Sequence, residues 1–212
     1  MSFFYSLACL LLKGFFRLFY RLSVRGVENI PKGKAIFAVN HASFFDPPLL
    51  AICCPEELHF LARSTLFQNR LWKYLLQGLN AHPIRRSSQD VDVFRMVGDL
   101  LKEEKKIVVF PEGERSPDGR IQPMKSGIAL LAIRMQSPII PVYLSGTFEA
   151  WPRHRKWPKF GTSITCLFGH PIDPVQFSHF PKKQAQEMIM EEINRRLQSE
   201  EQRTLLGRQD KE

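Results

Sequence analysis

His41 and Asp46 are the residues whose types and spacing could do chemistry together, within Val39-Asn40-His41-Ala42-Ser43-Phe44-Phe45-Asp46-Pro47-Pro48. An imidazole paired with a carboxylate is the base-and-orienter part of a catalytic triad. The carboxylate would accept a hydrogen bond from one ring nitrogen and leave the other free to take a proton. On one continuous helix, residues five apart are rotated by roughly 140° and cannot share a face. A turn removes that bar. No serine or cysteine nucleophile is evident alongside, so a substrate hydroxyl could supply the attacking oxygen. Each residue also has a plainer reading. Asp46 reads as a helix cap, His41 as a partly buried structural histidine, and Asn40-His41 as turn chemistry.

The surrounding elements place the pair. Ala35-Ile36-Phe37-Ala38-Val39 is an apolar run that predicts a buried strand. Pro47 and Pro48 cannot continue a strand but can open a helix. A second polar stretch, Phe110-Pro111-Glu112-Gly113-Glu114-Arg115-Ser116, follows the clearest strand signal, Ile107 to Phe110. Two strand ends carrying polar, turn-forming residues predict one site along one edge of a sheet. Further strands are expected over 22–27, 58–62, 81–84, 139–144 and 163–170. Helices are expected over 49–54, 66–79, 88–104, 128–135 and 182–197, with 66–79 read as a core helix. The fold class is therefore α/β: a single domain with a mixed central sheet flanked by helices.

These residues carry a family resemblance. Asn40-His41, four residues, then Asp46 resembles the NHX4D motif of the glycerol-3-phosphate and lysophosphatidic acid acyltransferase family. Residues 110–116 resemble its FPEGTRS motif. Pro83-Ile84-Arg85-Arg86 is similar to its motif of an apolar pair followed by Arg, and Ile139-Ile140-Pro141-Val142 to its Pro-containing fourth motif. Lys125-Ser126-Gly127 is similar to its Lys-x-Gly. The resemblance spans roughly residues 24 to 175. It implies transfer of an acyl group from an acyl thioester to the 2-hydroxyl of 1-acylglycerol 3-phosphate, making phosphatidic acid for phospholipid synthesis. The donor would be acyl-CoA or acyl-acyl carrier protein, with no further cofactor and no metal. His41 would be the base and Asp46 its orienter. Arg86, Arg115 and Lys125 would bind the acceptor phosphate, Arg by its planar fork and Lys as a point charge. Gly113 would let the backbone approach the ligand, and Glu112 would position Arg115 by an ion pair. The chain departs from the pattern at Glu114, where Thr is commonest, at Met124, where Phe is usual, and at Arg63, which replaces a common Lys. Those departures leave another lysophospholipid or glycerol phosphate open as acceptor.

Charge and hydropathy bound the partners. Lys and Arg number 30 against 21 Asp and Glu, a net charge of +9, which points to an anionic partner. The segment from Phe3 to Leu22 is apolar, with Lys13, Arg17 and Arg21 at four-residue spacing along one helix side. The run before Lys13 falls short of the ~20 residues a spanning helix needs. Its charges lie within and after the apolar core, the reverse of a signal peptide. A helix lying in the membrane interface is expected, with a helix docked on the domain, or a single spanning helix with snorkelling Lys13 and Arg17, as the alternatives. Residues 151–159 interleave tryptophans with bases. That pattern suits a nucleic-acid patch, an interfacial belt or an exposed loop. The four cysteines show neither C-x-x-C nor zinc spacing, which fits a reduced compartment. The expected organisation is a membrane-association helix over 1–22, a catalytic domain over 23–205 and a flexible tail over 206–212. The protein would sit on the cytoplasmic face of a membrane. Its partners would be lysophosphatidic acid, the acyl donor (acyl carrier protein included) and an anionic lipid surface, with no nucleic acid. A basic nucleic-acid-binding module and a non-catalytic membrane-surface protein are the readings of other classes.

Overall fold

The structure, a computed structural model, describes residues 2–84 and 90–209. Among these, seven strands form one sheet: β1 (Arg21–Arg25), β2 (Ala35–Val39), β3 (Leu58–Arg63), β4 (Ala81–Ile84), β5 (Lys106–Val109), β6 (Ile139–Ser145) and β7 (Ser163–Phe168). The spatial order is β1-β7-β6-β2-β5-β3-β4. All neighbours run parallel except β6 and β7. The helices are α1 (Phe3–Phe19), α2 (Asp46–Cys53), α3 (Arg70–Gly78), α4 (Asp90–Lys102), α5 (Gly127–Met135), the short α6 (Thr147–Ala150) and α7 (Lys182–Gln209).

Helices cover both faces of the sheet, which is why β2 reads as an unbroken apolar run and is buried at all five positions. Side chains alternate across a strand. Phe37 and Val39 join one core with α1 and α2, while Ile36 and Ala38 join the other with α4, α5 and α7. From β2 the chain turns toward β3; from β5 it turns the opposite way, toward β6. The C-terminal ends of these two neighbouring strands therefore open a crevice, where α/β sheets place their ligands.

Three segments differ from expectation. The helix expected over 66–79 is split: a 3-10 turn over Ser64–Phe67 precedes α3, and Asn69 caps α3 by accepting from Leu71 N and Trp72 N. None of the α3 residues is buried, and Leu71, Trp72 and Tyr74 face outward. The core reading fails because α3 leads into β4, the edge strand of the sheet, and Leu76 meets the core only in part. α1 is docked by one face: Tyr5, Cys9 and Phe16 are buried, Cys9 Sγ meets Ala51 O, and Tyr5 Oη accepts from Leu58 N. Its opposite face leaves Phe3, Leu7, Leu10, Leu11 and Leu18 exposed, with Lys13 and Arg17 exposed at the flank. Among the described residues no helix is long and apolar enough to cross a membrane. β1 begins at Arg21, inside the segment assigned to the first helix, and α7 runs to Gln209, into the segment assigned to the tail.

Candidate active site

Where β2 ends, Asn40 extends its ladder with a side chain. Asn40 Nδ2 donates to Leu144 O at 3.0 Å, and Leu144 N donates to Asn40 Oδ1 at 2.7 Å, fastening this strand end to β6. A tight turn follows. Ser43 Oγ accepts from Phe45 N at 3.0 Å and donates to Trp151 O at 2.8 Å. Asp46 is the first residue of α2 rather than its cap, a place Phe45 takes. The carboxylate reaches back into the turn: Oδ2 accepts from Ala42 N and Ser43 N, each at 2.7 Å, and meets His41 Nδ1 at 2.8 Å. A carboxylate oxygen with these partners accepts, so in the neutral ring the proton sits on Nδ1 and the lone pair on Nε2. Asp46 is fully buried, whereas the His41 side chain stays 17% exposed. The imidazole stacks on Phe110, with centroids 4.1 Å apart. The pair is thus brought together by a turn, as its spacing requires.

The loop after β5 grips the same histidine by its backbone. Glu112 Oε1 accepts from His41 N at 2.6 Å, and Ser116 N donates to His41 O at 2.7 Å. Glu112 Oε2 accepts from Gln122 N at 3.0 Å. Both carboxylate oxygens are therefore occupied by backbone N–H groups, and the ion pair expected between Glu112 and Arg115 gives way to a strut under His41. Burial pushes the Glu112 carboxyl up to about 7, against the opposing pull of those two N–H groups. Gly113 has φ +81°, the left-handed region that favours glycine. A Cβ there would lie 3.1 Å from Lys125 Nζ, so Lys125 fills the space beside it. Lys125 also edges an apolar cavity of about 160 Å³ lined by Leu61, Phe94, Phe110, Ile128 and Leu131.

The cations are distributed differently from expectation. The Arg115 guanidinium lies 3.6 Å over the Phe44 ring, a cation–π contact. Its Nη1 is buried with no hydrogen-bond partner among the described residues. Burial holds Arg115 below its ordinary range, helped by the like charges of Arg63 and Arg153 and opposed by Asp46. In the sequence Arg63 stands out only as a departure from the motif and Arg153 only as part of the Trp-rich segment. The end of β3 and the Ser43–Pro152 bridge bring them here, which no local pattern discloses. Arg86 lies outside the described residues. Trp151 packs inward on Phe44 and Phe45 while Trp157 is exposed, so the segment forms no continuous stacking platform. Among the described residues no three His, Cys, Asp or Glu side chains are grouped to hold a metal ion.

The chain is similar to known proteins in sequence and in fold. The Acyltransferase family profile matches residues 21–145, more than half of the chain. The 1-acyl-sn-glycerol-3-phosphate acyltransferase of Bacillus subtilis is 26% identical over 184 residues, covering 83% of this chain and 89% of that protein. The chloroplastic 1-acyl-sn-glycerol-3-phosphate acyltransferase BAT2 of Brassica napus is 28% identical over 138 residues; the match takes in 63% of this chain but spans only 40% of that relative's length. A crystal structure of the 1-acyl-sn-glycerophosphate (LPA) acyltransferase PlsC from Thermotoga maritima superposes with a TM-score of 0.78 at 26% identity, over 93% of this chain and 79% of that one. The matched stretch runs from the first residue of β1 to the last of β6 and includes both loops that hold His41: the chain belongs to the Acyltransferase family.

Proposed function

We propose that this protein transfers an acyl group from an acyl thioester to the 2-hydroxyl of 1-acylglycerol 3-phosphate, giving phosphatidic acid and a free thiol. The observation that carries the reading is the 2.8 Å contact between His41 Nδ1 and Asp46 Oδ2, which leaves Nε2 as a base at the mouth of the crevice. Nε2 takes the hydroxyl proton as the oxygen attacks the thioester carbonyl, and Asp46 stabilises the imidazolium. The tetrahedral intermediate collapses, the C–S bond breaks, and the leaving sulfur takes the proton back from Nε2. A thiolate leaves readily, so no acyl-enzyme is needed. Arg115 meets the acceptor phosphate. The apolar cavity behind Phe110 takes an acyl chain. The outward apolar face of α1, with Lys13 and Arg17, rests on an anionic lipid surface that supplies the acceptor.

The test is thiol release from acyl-CoA and acyl-acyl carrier protein over a panel of acceptors: 1-acylglycerol 3-phosphate, glycerol 3-phosphate and a lysophospholipid with a phosphodiester headgroup. Release that depends on 1-acylglycerol 3-phosphate and disappears in His41→Ala is the expected result. Release driven better by either other acceptor would reassign the substrate.

A further inference from the structure

Two observations around Arg115 stand apart from the base and its orienter. A guanidinium nitrogen of Arg115 is buried without a partner among the described residues, and a second arginine is held against the same loop. Arg153 Nη1 donates to Arg115 O at 3.2 Å and stands 3.9 Å from Glu114 Oε2. Its backbone is locked to the turn that carries His41. Ser43 pairs with Pro152 in an isolated bridge, and Trp151 O accepts from both Ser43 Oγ and Phe44 N. The ring beneath Arg115 belongs to Phe44 of that same turn. The turn that orients the base therefore also sets where Arg115 and Arg153 stand.

We propose that Arg153 is a further arm of the acceptor's anion site, joining Arg115 on a phosphomonoester dianion, and that Glu114 holds Arg153 until the phosphate displaces it. This rests on the acceptor reading above. A buried donor with no acceptor is costly to leave unmade, and a phosphate oxygen is the acceptor a guanidinium fork matches. The Arg153–Glu114 contact is long, and both side chains are largely exposed, at 42% and 67%. Such a pair is weak, so a phosphate of about −2 charge out-competes one carboxylate. A phosphodiester headgroup offers one charge and no free end, and it loses most of this advantage. Glu114, which departs from the commonest residue of its motif, then tunes acceptor affinity instead of contributing to catalysis.

The experiment uses the full chain in mixed micelles and measures kinetic constants for both substrates, melting temperature, and the melting shift induced by inorganic phosphate. For Arg153→Ala, acceptor KM should rise roughly tenfold to a hundredfold, the effect of one charge-assisted hydrogen bond. Donor KM and melting temperature should hold, and the preference for phosphomonoester over phosphodiester acceptors should shrink. Glu114→Gln should move acceptor KM the other way, downward by a few-fold. Inorganic phosphate should raise the melting temperature of the wild type more than that of Arg153→Ala. Equal shifts in the two, an unchanged acceptor KM in Arg153→Ala, or a rise in KM for Glu114→Gln would each overturn the proposal. If the wild type fails to use 1-acylglycerol 3-phosphate yet phosphate stabilises it only when Arg153 is present, the anion arm stands and the acceptor assignment falls.

Discussion

His41 and His59 each commit Nδ1 to a hydrogen bond, the first to Asp46 Oδ2 at 2.8 Å, the second to His82 Nε2 at 2.9 Å. Both rings are stacked, on Phe110 and on His82 respectively. The resemblance ends with the partner's charge and with what is left over. The partner of His41 is a carboxylate, and its ring keeps a partly exposed edge that a substrate can reach. His59 faces another imidazole, is buried, and has an Nε2 with no partner among the described residues. Burial, then His82, then Lys105 hold it down to about 4, with Glu57 opposing. On the proposed reading, the same side chain is a base in one place and a neutral packing residue in the other. Environment decides which.

Removing the rings would break that contrast most sharply. His41→Ala should lower kcat by about 10²–10⁴-fold, the span of general-base catalysis, with little change in melting temperature. Asp46→Asn should fall severely too, because a neutral amide supports the imidazolium poorly. His59→Gln should stay within about threefold of wild-type kcat. A His41→Ala enzyme that keeps more than a tenth of the rate would put the two histidines on an equal footing.

A smaller effect separates them by pH. The folded-state value of His59, about 4, lies below its ordinary 6.5, so folding favours the neutral ring. The stability this contributes is fully present above 6.5 and is lost as pH falls from there toward 4. At about 1.4 kcal/mol per pKa unit, roughly 2 kcal/mol should be gone by pH 5. Urea titrations at pH 7.5 and pH 5 should show wild type losing about that much more than His59→Gln. Parallel losses in the two proteins would mean His59 is not held neutral.

The smallest expected change concerns the strut beneath His41, for which His59 has no counterpart. Glu112→Gln keeps one acceptor for His41 N but turns an NH₂ toward Gln122 N. Losing about one hydrogen bond of positioning should reduce kcat roughly tenfold and leave acceptor KM in place. A rise in acceptor KM with kcat intact would return Glu112 to a binding role.

Much of this was legible because it is local. Five consecutive apolar residues before Asn40 mark β2 without reference to anything else, and a histidine and a carboxylate five apart need only a turn to meet. The parts that escaped depend on pairing. Glu112 looked available to Arg115, its neighbour in sequence, but the parallel pairing of β2 with β5 puts His41 N closer at hand. Arg153 sits among other bases, and only the bridge from Pro152 to Ser43 singles it out. The apolar positions of α3 carry helical spacing whether they face a core or solvent, and the sheet's edge decides that.

The bonds that shape the turn have a consequence for how the enzyme is made. They reach from His41 to Glu112, from Asn40 to Leu144 and from Ser43 to Trp151, across 71, 104 and 108 residues. Closing loops that long costs little more than closing short ones, but it waits until both ends exist. A growing chain carries His41 and Asp46, with the local bonds between them, well before it carries the partners of these distant ones. Domains fold as units during synthesis. The turn around His41 therefore lacks its distant fastenings until Glu112, Leu144 and Trp151 have all been added.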